Sequence, residues 1–433
     1  MKNINVALLG FGTVGSGVAE TIRKNGKLIE DSIGCHFTIT HVLVRHPEKY
    51  RDLEILKGVQ VTSSFEDIMN DGSVEIVIEV MGGIHPAKEY IFEALNHHIS
   101  VVSANKDLVA LFGPEIMHTA MDNHVNFNCE ASVGGGIPIL RPLHDSLAAN
   151  EIERIVGIVN GTTNFILSNM DEAGVSYGDA LRVAQKKGYA EVDPTNDVAG
   201  YDAARKLAIL ASIGFHANVT FDDVLVEGIE KISQNDVQYA SEMGYTIKLL
   251  AVALRQENGI ALNVYPAFVP RSHPLASVKG SYNAIYVTGN IVDDVMFYGR
   301  GAGSLPTASA VMGDIISTAK HIMNHSTGTG MMLTETKRIP FYSSLKLENS
   351  YYFRLIVDDM TGVLSQIASA YADNDISIKE VVQKSRIEDA AELMIITEKT
   401  PRENIIHVEK ALQVLPCMRQ VANIIRVLED DRK

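Results

Sequence analysis

Gly10-Phe11-Gly12-Thr13-Val14-Gly15 stands between a short apolar run, residues 4–9, and a stretch of helical patterning, residues 14–23. Few patterns constrain a chain so tightly. Between a strand and a helix, the first glycine permits a tight turn and the second lets backbone approach a pyrophosphate. The third lets the helix pack close on the strand. The helix would also turn its positive end toward the phosphates. Context rather than spacing gives the motif its meaning. It predicts a dinucleotide site contacted by Gly10, Phe11, Gly12, Thr13, Val14 and Gly15.

The alternation continues downstream. Residues 37–44, 74–80 and 100–103 read as strands and 88–96 as a helix, so a parallel sheet built from βαβ units is expected. The second strand ends Leu43-Val44-Arg45-His46, with no acid at its tip to hold ribose hydroxyls. Arg45 can instead pair with a 2′-phosphate, which favours NADP(H) over NAD(H).

The middle of the chain is patterned differently. Helices are expected at 176–187, 199–213 and 235–243, and strands at 152–159, 248–254, 260–266, 282–289 and 294–299. Such runs suggest an α+β domain with a mainly antiparallel sheet. Residues 306–323 read as one helix, with Pro306 in its first turn. Beyond Lys346 the order is strand (351–357), helix (362–372), strands (376–384, 391–397), helix (405–415) and strand (421–427). That is the ferredoxin-like βαββαβ pattern. The expected division is a Rossmann-type α/β domain over 1–138 with a returning helix in 304–330, and a catalytic and dimerisation domain over 139–303. A linker over 331–349 and a regulatory domain over 350–430 complete it.

Charge narrows the partners. Against 53 acidic residues stand 38 Lys and Arg, a net −15 over 433 residues, which argues against a nucleic-acid binder. No apolar run is long enough to cross a membrane, and the first residues pass straight into a strand without a signal-peptide core. Three cysteines, none close to another, make neither a disulfide framework nor a zinc ribbon, so a cytoplasmic protein is expected. The histidines, His97-His98 among them, lack the spacing of a transition-metal site.

Chemistry concentrates around Ala199-Gly200-Tyr201-Asp202-Ala203-Ala204-Arg205-Lys206, where Asp202 and Lys206 share one helix face. On its own that spacing is a surface ion pair. Upstream, however, Gly188-Tyr189-Ala190-Glu191-Val192-Asp193-Pro194-Thr195-Asn196-Asp197 is a turn-rich loop carrying three carboxylates. Carboxylates suit a substrate amine, and a lysine can move a proton.

The run from Ala184 to Lys206 resembles the signature of the homoserine dehydrogenase family at Ala184, Gly188, Asp193-Pro194, Asp197, Gly200, Asp202 and Lys206. Ser103-Ala104-Asn105-Lys106 resembles the family's nicotinamide-side loop, and Glu130 to Pro138 its glycine-rich turn. Asn160-Gly161-Thr162-Thr163-Asn164 and Gly301-Ala302-Gly303 match in order, and the C-terminal segment resembles an ACT domain, an amino-acid-sensing module. The resemblance implies reversible NAD(P)H-dependent reduction of L-aspartate 4-semialdehyde to L-homoserine, on the route to threonine and methionine. It implies Lys206 as proton donor and acceptor, with Lys106 beside substrate and nicotinamide. Glu191, Asp202, Gly161 and Thr162 would meet the substrate, and Ser103, Gly188 and Gly303 the cofactor. A structural sodium ion would lie against Glu130 and the backbone oxygens of Val133, Gly135 and Ile137. A homodimer or homotetramer is implied as well.

In the C-terminal segment, Asp358-Asp359-Met360-Thr361-Gly362-Val363-Leu364 resembles the loop on which ACT modules hold amino acids, with L-threonine the expected effector. Two other readings compete. Cys129 could be the nucleophile of an aspartate-semialdehyde dehydrogenase, or the chain could be an amino-acid and redox sensor without turnover. The set of Lys106, Glu191, Asp202 and Lys206 disfavours the sensor.

Overall fold

The computed structural model describes residues 2–326, 339–387 and 389–429. Residues 331–338 of the expected linker, and 327–330 before it, lie outside these. The glycine motif sits where its flanks require. Strand β1 (Lys2–Leu9) precedes it and helix α1 (Thr13–Ile33) follows. Next come β2 (Cys35–Leu43), β3 (Gln60–Thr62), α2 (Phe65–Met69), β4 (Val74–Glu79), α3 (Ala87–Asn96), β5 (Ser100–Ser103), α4 (Lys106–Asp122) and β6 (Phe127–Asn128). The strands form a sheet of order β3-β2-β1-β4-β5-β6, and every pairing in it is parallel. Its order reverses between β1 and β4, the place where such sheets bind ligands.

The chain continues through β7 (Ile152–Ile158), α5 (Gly161–Ala173), α6 (Tyr177–Lys186), α7 (Thr195–Val198), α8 (Tyr201–Gly214), β8 (Leu225–Val226), α9 (Gln234–Glu242), β9 (Tyr245–Gln256) and β10 (Gly259–Pro270). Strands β11 (Tyr282–Gly289) and β12 (Asp293–Arg300) lead into α10 (Ser304–Met323). The C-terminal elements are β13 (Glu348–Asp358), α11 (Val363–Ala372), β14 (Ile378–Ile387), β15 (Ala390–Thr397), β16 (Thr400–Pro401), α12 (Arg402–Gln413) and β17 (Met418–Val427).

These elements gather into two compact units. The first holds Met1–Ile155, Arg205–Asp223 and Asn283–Ile339; the second holds Val156–Ala204, Val224–Tyr282 and Pro340–Lys433. In the first unit, Ile4, Val6, Leu8, Ile76, Ile78 and Val102 of the parallel sheet pack with Ala308, Val311 and Ile315 of the returning helix α10. A methyl on Gly17 of α1 would strike the backbone and hydroxyl of Ser304, so that glycine sets how closely the two helices approach.

The second unit is built on strands in the order β9-β10-β17-β13-β15-β14. Pairing is antiparallel except where β10 meets β8 and β17. The last part, β13 to β17, has the expected ferredoxin-like topology, with sheet order β17-β13-β15-β14 and its own core around Phe353, Ile367, Tyr371, Ile395 and Val408. It groups with the middle segments rather than standing apart, and two features account for this. Ala267 and Phe268 of β10 pair in parallel with Arg426 and Val427 of β17. A buried polar network also fastens the two parts. Arg354 Nε lies 2.7 Å from Asp236 Oδ1, and its Nη1 3.0 Å from Glu392 Oε1. The Tyr239 hydroxyl donates to Glu392, and the Asn423 amide donates to Asp236.

Candidate active site

In the first unit, the motif adopts the tight turn and close helix–strand approach that its first and third glycines predict. Gly10 has φ +103°, outside the range most side chains tolerate, and its N–H donates to the Leu43 carbonyl at 2.9 Å. A methyl on Gly15 would collide with the Gly10 carbonyl. Gly12 caps α1 without any side-chain hydrogen bond, and the first turn carries no acid. The helix end therefore keeps amides and positive potential for an anion. Phe11 is buried, its ring edge-on to Tyr50, so only its backbone faces the turn.

A cleft of about 400 Å³ opens beside the turn, lined by Gly10, Gly12, Arg45, Lys49, Met81 and His85 among others. Arg45 is exposed at the cleft wall. The sequence reading missed Lys49, whose short helical turn lies too far along the chain to read as part of the second strand's tip. These residues fit a dinucleotide: an uncapped helix end suited to phosphate and two cations on the cleft lining.

At the tips of β4 and β5, Glu79 is fully buried. Its Oε1 accepts from the Met81 N–H at 2.9 Å, and its Oε2 accepts from the Ser103 hydroxyl at 2.6 Å. Burial pushes its carboxyl up, against the pull of those hydrogen bonds. Ser103 is thus turned inward to Glu79, and its hydroxyl also accepts from the Asn105 N–H. Asn105 caps α4 through Leu108 N and donates to the Gly83 carbonyl at 2.6 Å. One buried carboxylate thereby ties both loops, and Lys106 follows as the first residue of α4. Glu79 was not legible in sequence, where it ends an apolar strand.

Arg205 Nε lies 3.4 Å from Asp107 Oδ1. That ion pair joins the helix turns carrying Lys106 and Lys206, so the structure brings the two lysines onto neighbouring turns.

The turn after β6 is more committed than its sequence suggested. The buried Glu130 carboxylate accepts backbone N–H bonds from Ile139 (2.5 Å), Leu140 (2.8 Å) and Arg141 (2.8 Å). Its own N–H donates to Asp314 of α10, which also pairs with Arg141 at 2.6 Å. Gly134 and Gly135 both have positive φ. Methyls on Gly135 and Gly136 would strike Gly301 and Pro306. The two glycine runs therefore lie against each other, with Gly303 (φ +122°) capping α10.

In the second unit, Asp202 is buried at the start of α8. Asn160 caps α5, accepting from the Thr163 N–H through its side-chain oxygen. The Asn160 amide nitrogen donates to Asp197 at 2.7 Å and to Asp202 at 2.9 Å. Two carboxylates converging on one amide create a site that favours an ammonium group. Asn160 belonged to a recognised segment but was passed over in favour of Gly161 and Thr162. Gly161 opens α5, and the Thr162 hydroxyl donates to the Tyr189 carbonyl at 2.6 Å. Gly188 is exposed at φ +74°. Glu191 is exposed too, its backbone oxygen held by Gln185.

Cys129 is buried, and desolvation beside Asp314 and Glu130 pushes its thiol well up. A thiolate nucleophile is disfavoured there, which overturns the aspartate-semialdehyde dehydrogenase reading. Among the described residues, no group of three or more His, Cys, Asp or Glu gathers as for a metal.

A parallel sheet whose glycine turn opens on a cleft, in a chain that sets two lysines on neighbouring helix turns and buries the carboxylate of Asp202, is the framework of a nicotinamide-dependent oxidoreductase for a small polar substrate. Residues 10–130 match the family model for the homoserine dehydrogenase NAD binding domain, and residues 138–316 match that for homoserine dehydrogenase. The homoserine dehydrogenase of Bacillus subtilis strain 168 is 39% identical, with 99% of each chain covered. The crystal structure of the Thiobacillus denitrificans enzyme superposes with a TM-score of 0.93 at 37% identity, covering 99% of both chains. A hyperthermophilic archaeal homoserine dehydrogenase in complex with NADPH superposes at TM-score 0.63 and 27% identity, over 73% of this chain and 98% of that one. The chain belongs to the homoserine dehydrogenase family, NAD(P)-dependent oxidoreductases acting on a CH–OH group.

Proposed function

We propose that Lys206 carries the proton in the interconversion of L-aspartate 4-semialdehyde and L-homoserine, while Asp202, assisted by Glu191, holds the substrate ammonium. The observation that supports this most is the Asn160–Asp197–Asp202 cluster one helical turn ahead of Lys206. When bound, the nicotinamide dinucleotide supplies or accepts the hydride. As negative charge develops on the aldehyde oxygen, the Lys206 ammonium donates its proton there, and in the reverse direction the neutral amine removes the hydroxyl proton. Lys106, joined to the same region through Asp107 and Arg205, adds positive charge beside the reacting oxygen. By the family resemblance, Gly161 and Thr162, the latter tied to the Tyr189 carbonyl, would meet the substrate, and Ser103, Gly188 and Gly303 would meet the cofactor.

NADP(H) is the preferred cofactor in this reading, since Arg45 and Lys49 line the cleft and the tip of the second strand has no acid. The NADPH complex of the archaeal relative is consistent with it. A sodium ion at the Glu130 turn would rely on the backbone oxygens of Val133, Gly135 and Ile137, because the Glu130 carboxylate already serves three amides. Its part would be to stiffen the turn. The ferredoxin-like segment is read as an ACT module, with Gly362 (φ +89°) opening α11 without a side-chain cap. L-threonine is the proposed effector and a homodimer or homotetramer the proposed assembly. No helix among the described residues is long and apolar enough to cross a membrane, and a cytoplasmic location is part of the proposal.

The test is homoserine-dependent reduction of NADP⁺ and NAD⁺, with and without threonine. Wild-type protein turns over, more efficiently with NADP⁺. Lys206→Ala loses most kcat in both directions while dinucleotide binding persists. Turnover by Lys206→Ala at the wild-type rate removes Lys206 from the mechanism.

A further inference from the structure

The C-terminal domain reaches toward the catalytic helix through one carboxylate. Arg426 of β17 grips Glu227 with both Nη atoms, at 2.8 and 2.9 Å, and Arg402 adds a third contact at 2.8 Å. Arg426 is buried, lies 4.3 Å above the Tyr265 ring and is thereby held in place. The Glu227 carboxyl is kept low by these two guanidinium groups, against the effect of burial. A fork of this kind fixes orientation as well as charge.

The backbone at Glu227 performs a different task. Its N–H donates to the Val264 carbonyl at 2.7 Å, and the Ile229 N–H donates to Val198 at 2.9 Å. A methyl on Gly228 would strike the Val198 carbonyl and the Ala199 Cα. Gly200, with φ +85°, sits against the side chains of Val226 and Val264 so closely that a methyl there would lie about 3.0 Å from Val226. Residues 226–229 are thus a seat pressed under 198–200, and Asp202 lies two residues further on. The pairing of β8 with β10 uses the Glu227 backbone and leaves its carboxylate to the two arginines.

We propose that Glu227 is a positioning residue: held by Arg402 and Arg426 of the C-terminal domain, it sets the start of α8 and so places Asp202 for the amino-acid substrate. This rests on the substrate role given above to Asp202. The C-terminal domain then contributes to substrate binding even without an effector. It also holds a lever on α8, because anything that moves α12 or β17 moves the seat.

The experiment is steady-state kinetics of homoserine oxidation by the full chain carrying Glu227→Gln, Arg402→Gln, both together, or Arg402→Lys, with thermal melting in parallel. Gln keeps the shape of Glu227, and Arg402 is the more exposed arm, so at least the second variant is expected to fold. The KM for homoserine is expected to rise by roughly tenfold in each single variant, within the usual range of coupling between sites, while the KM for NADP⁺ stays put. The double variant is no worse than either single one, and Arg402→Lys recovers most of the loss. A lowered Tm with unchanged homoserine KM overturns the proposal, and so does an equal rise in both KM values. Should wild-type protein fail to oxidise homoserine at all, it is the reading of the active site that falls.

Discussion

Asn160 does two things at once: its oxygen caps α5 and its nitrogen bridges Asp197 and Asp202. Replacing it by alanine removes a cap worth about 1 kcal/mol and leaves a buried carboxylate short of a charged hydrogen bond worth about 1.5–3 kcal/mol. Asn160→Ala should therefore lower Tm and raise the homoserine KM by about tenfold or more, read from melting curves and initial rates. Lys248 makes a different prediction. It is almost wholly buried on β9, donating to Asn164 Oδ1 at 3.1 Å and to the Val278 carbonyl at 2.5 Å. Burial pushes it down to about 8, with Asp171 and Glu172 opposing and Lys279 and Arg271 assisting. Because its folded value lies below the unfolded one of about 10.4, the folded state binds fewer protons in between. Its contribution to stability is full above the unfolded value and fades as pH falls through about 8. The stability of wild type relative to Lys248→Met should then climb between those two values, measured by urea unfolding. A flat difference would show that Lys248 titrates normally. Glu79 and Lys248 were hard to find in sequence for one reason: single polar residues in apolar surroundings make no spacing pattern, and only the fold brings them partners.

Elements were more legible than side chains. Strands 100–103 and 282–289 lie where their β-branched runs put them, and the helix expected at 306–323 begins two residues earlier. Four helices have no counterpart in the sequence expectations: the short α2 and α7, and the longer α4 and α5. In α4, Pro114 lies inside the helix and reads as a breaker. In α5, the opening Gly161-Thr162-Thr163 combines weak helix formers, and the cap supplied by Asn160 outweighs them. The βα turn at the start of the chain carries its own test. Gly15→Ala places a methyl against the Gly10 carbonyl and should abolish dinucleotide binding, measured by titration of intrinsic NADPH fluorescence, with a lowered Tm. Gly12→Ala, where a methyl meets nothing within 4 Å, should disturb folding much less. Arg354, which joins β13 to α9, marks the opposite kind of site. Arg354→Met leaves Asp236 and Glu392 buried without their cation and should cost about 3–5 kcal/mol in denaturant unfolding.

On the scale of the whole molecule, net charge describes the surface and leaves the local charge of each site open. A chain of −15 lines the cleft beside its glycine turn with Arg45 and Lys49, and in the second unit gathers Asp197 and Asp202 on one amide. Arg45→Glu should therefore shift preference from NADP(H) toward NAD(H), seen in the ratio of the two kcat/KM values. The expected division already returned a helix in 304–330 to the first domain, and each compact unit is assembled from three separated stretches. Long-range strand pairing has no local signature, so the grouping of the C-terminal strands with the middle segments was out of reach of sequence patterns.

The parallel pairing of β10 with β17 has a consequence for how the protein is made. Phe268 finds its sheet neighbour Val427 only at the far end of the chain, and α1 waits for α10 to cover it. On a ribosome, β10 emerges with β8 available for only part of one edge, and Ala267 and Phe268 stay unpaired on that edge until β17 has cleared the exit tunnel. An unpaired strand with this much apolar surface is a hazard for self-association. The second unit, which includes β17, therefore closes late, so translation speed through the final segment and chaperone access during that interval should govern the yield of native protein as much as the stability of the finished fold.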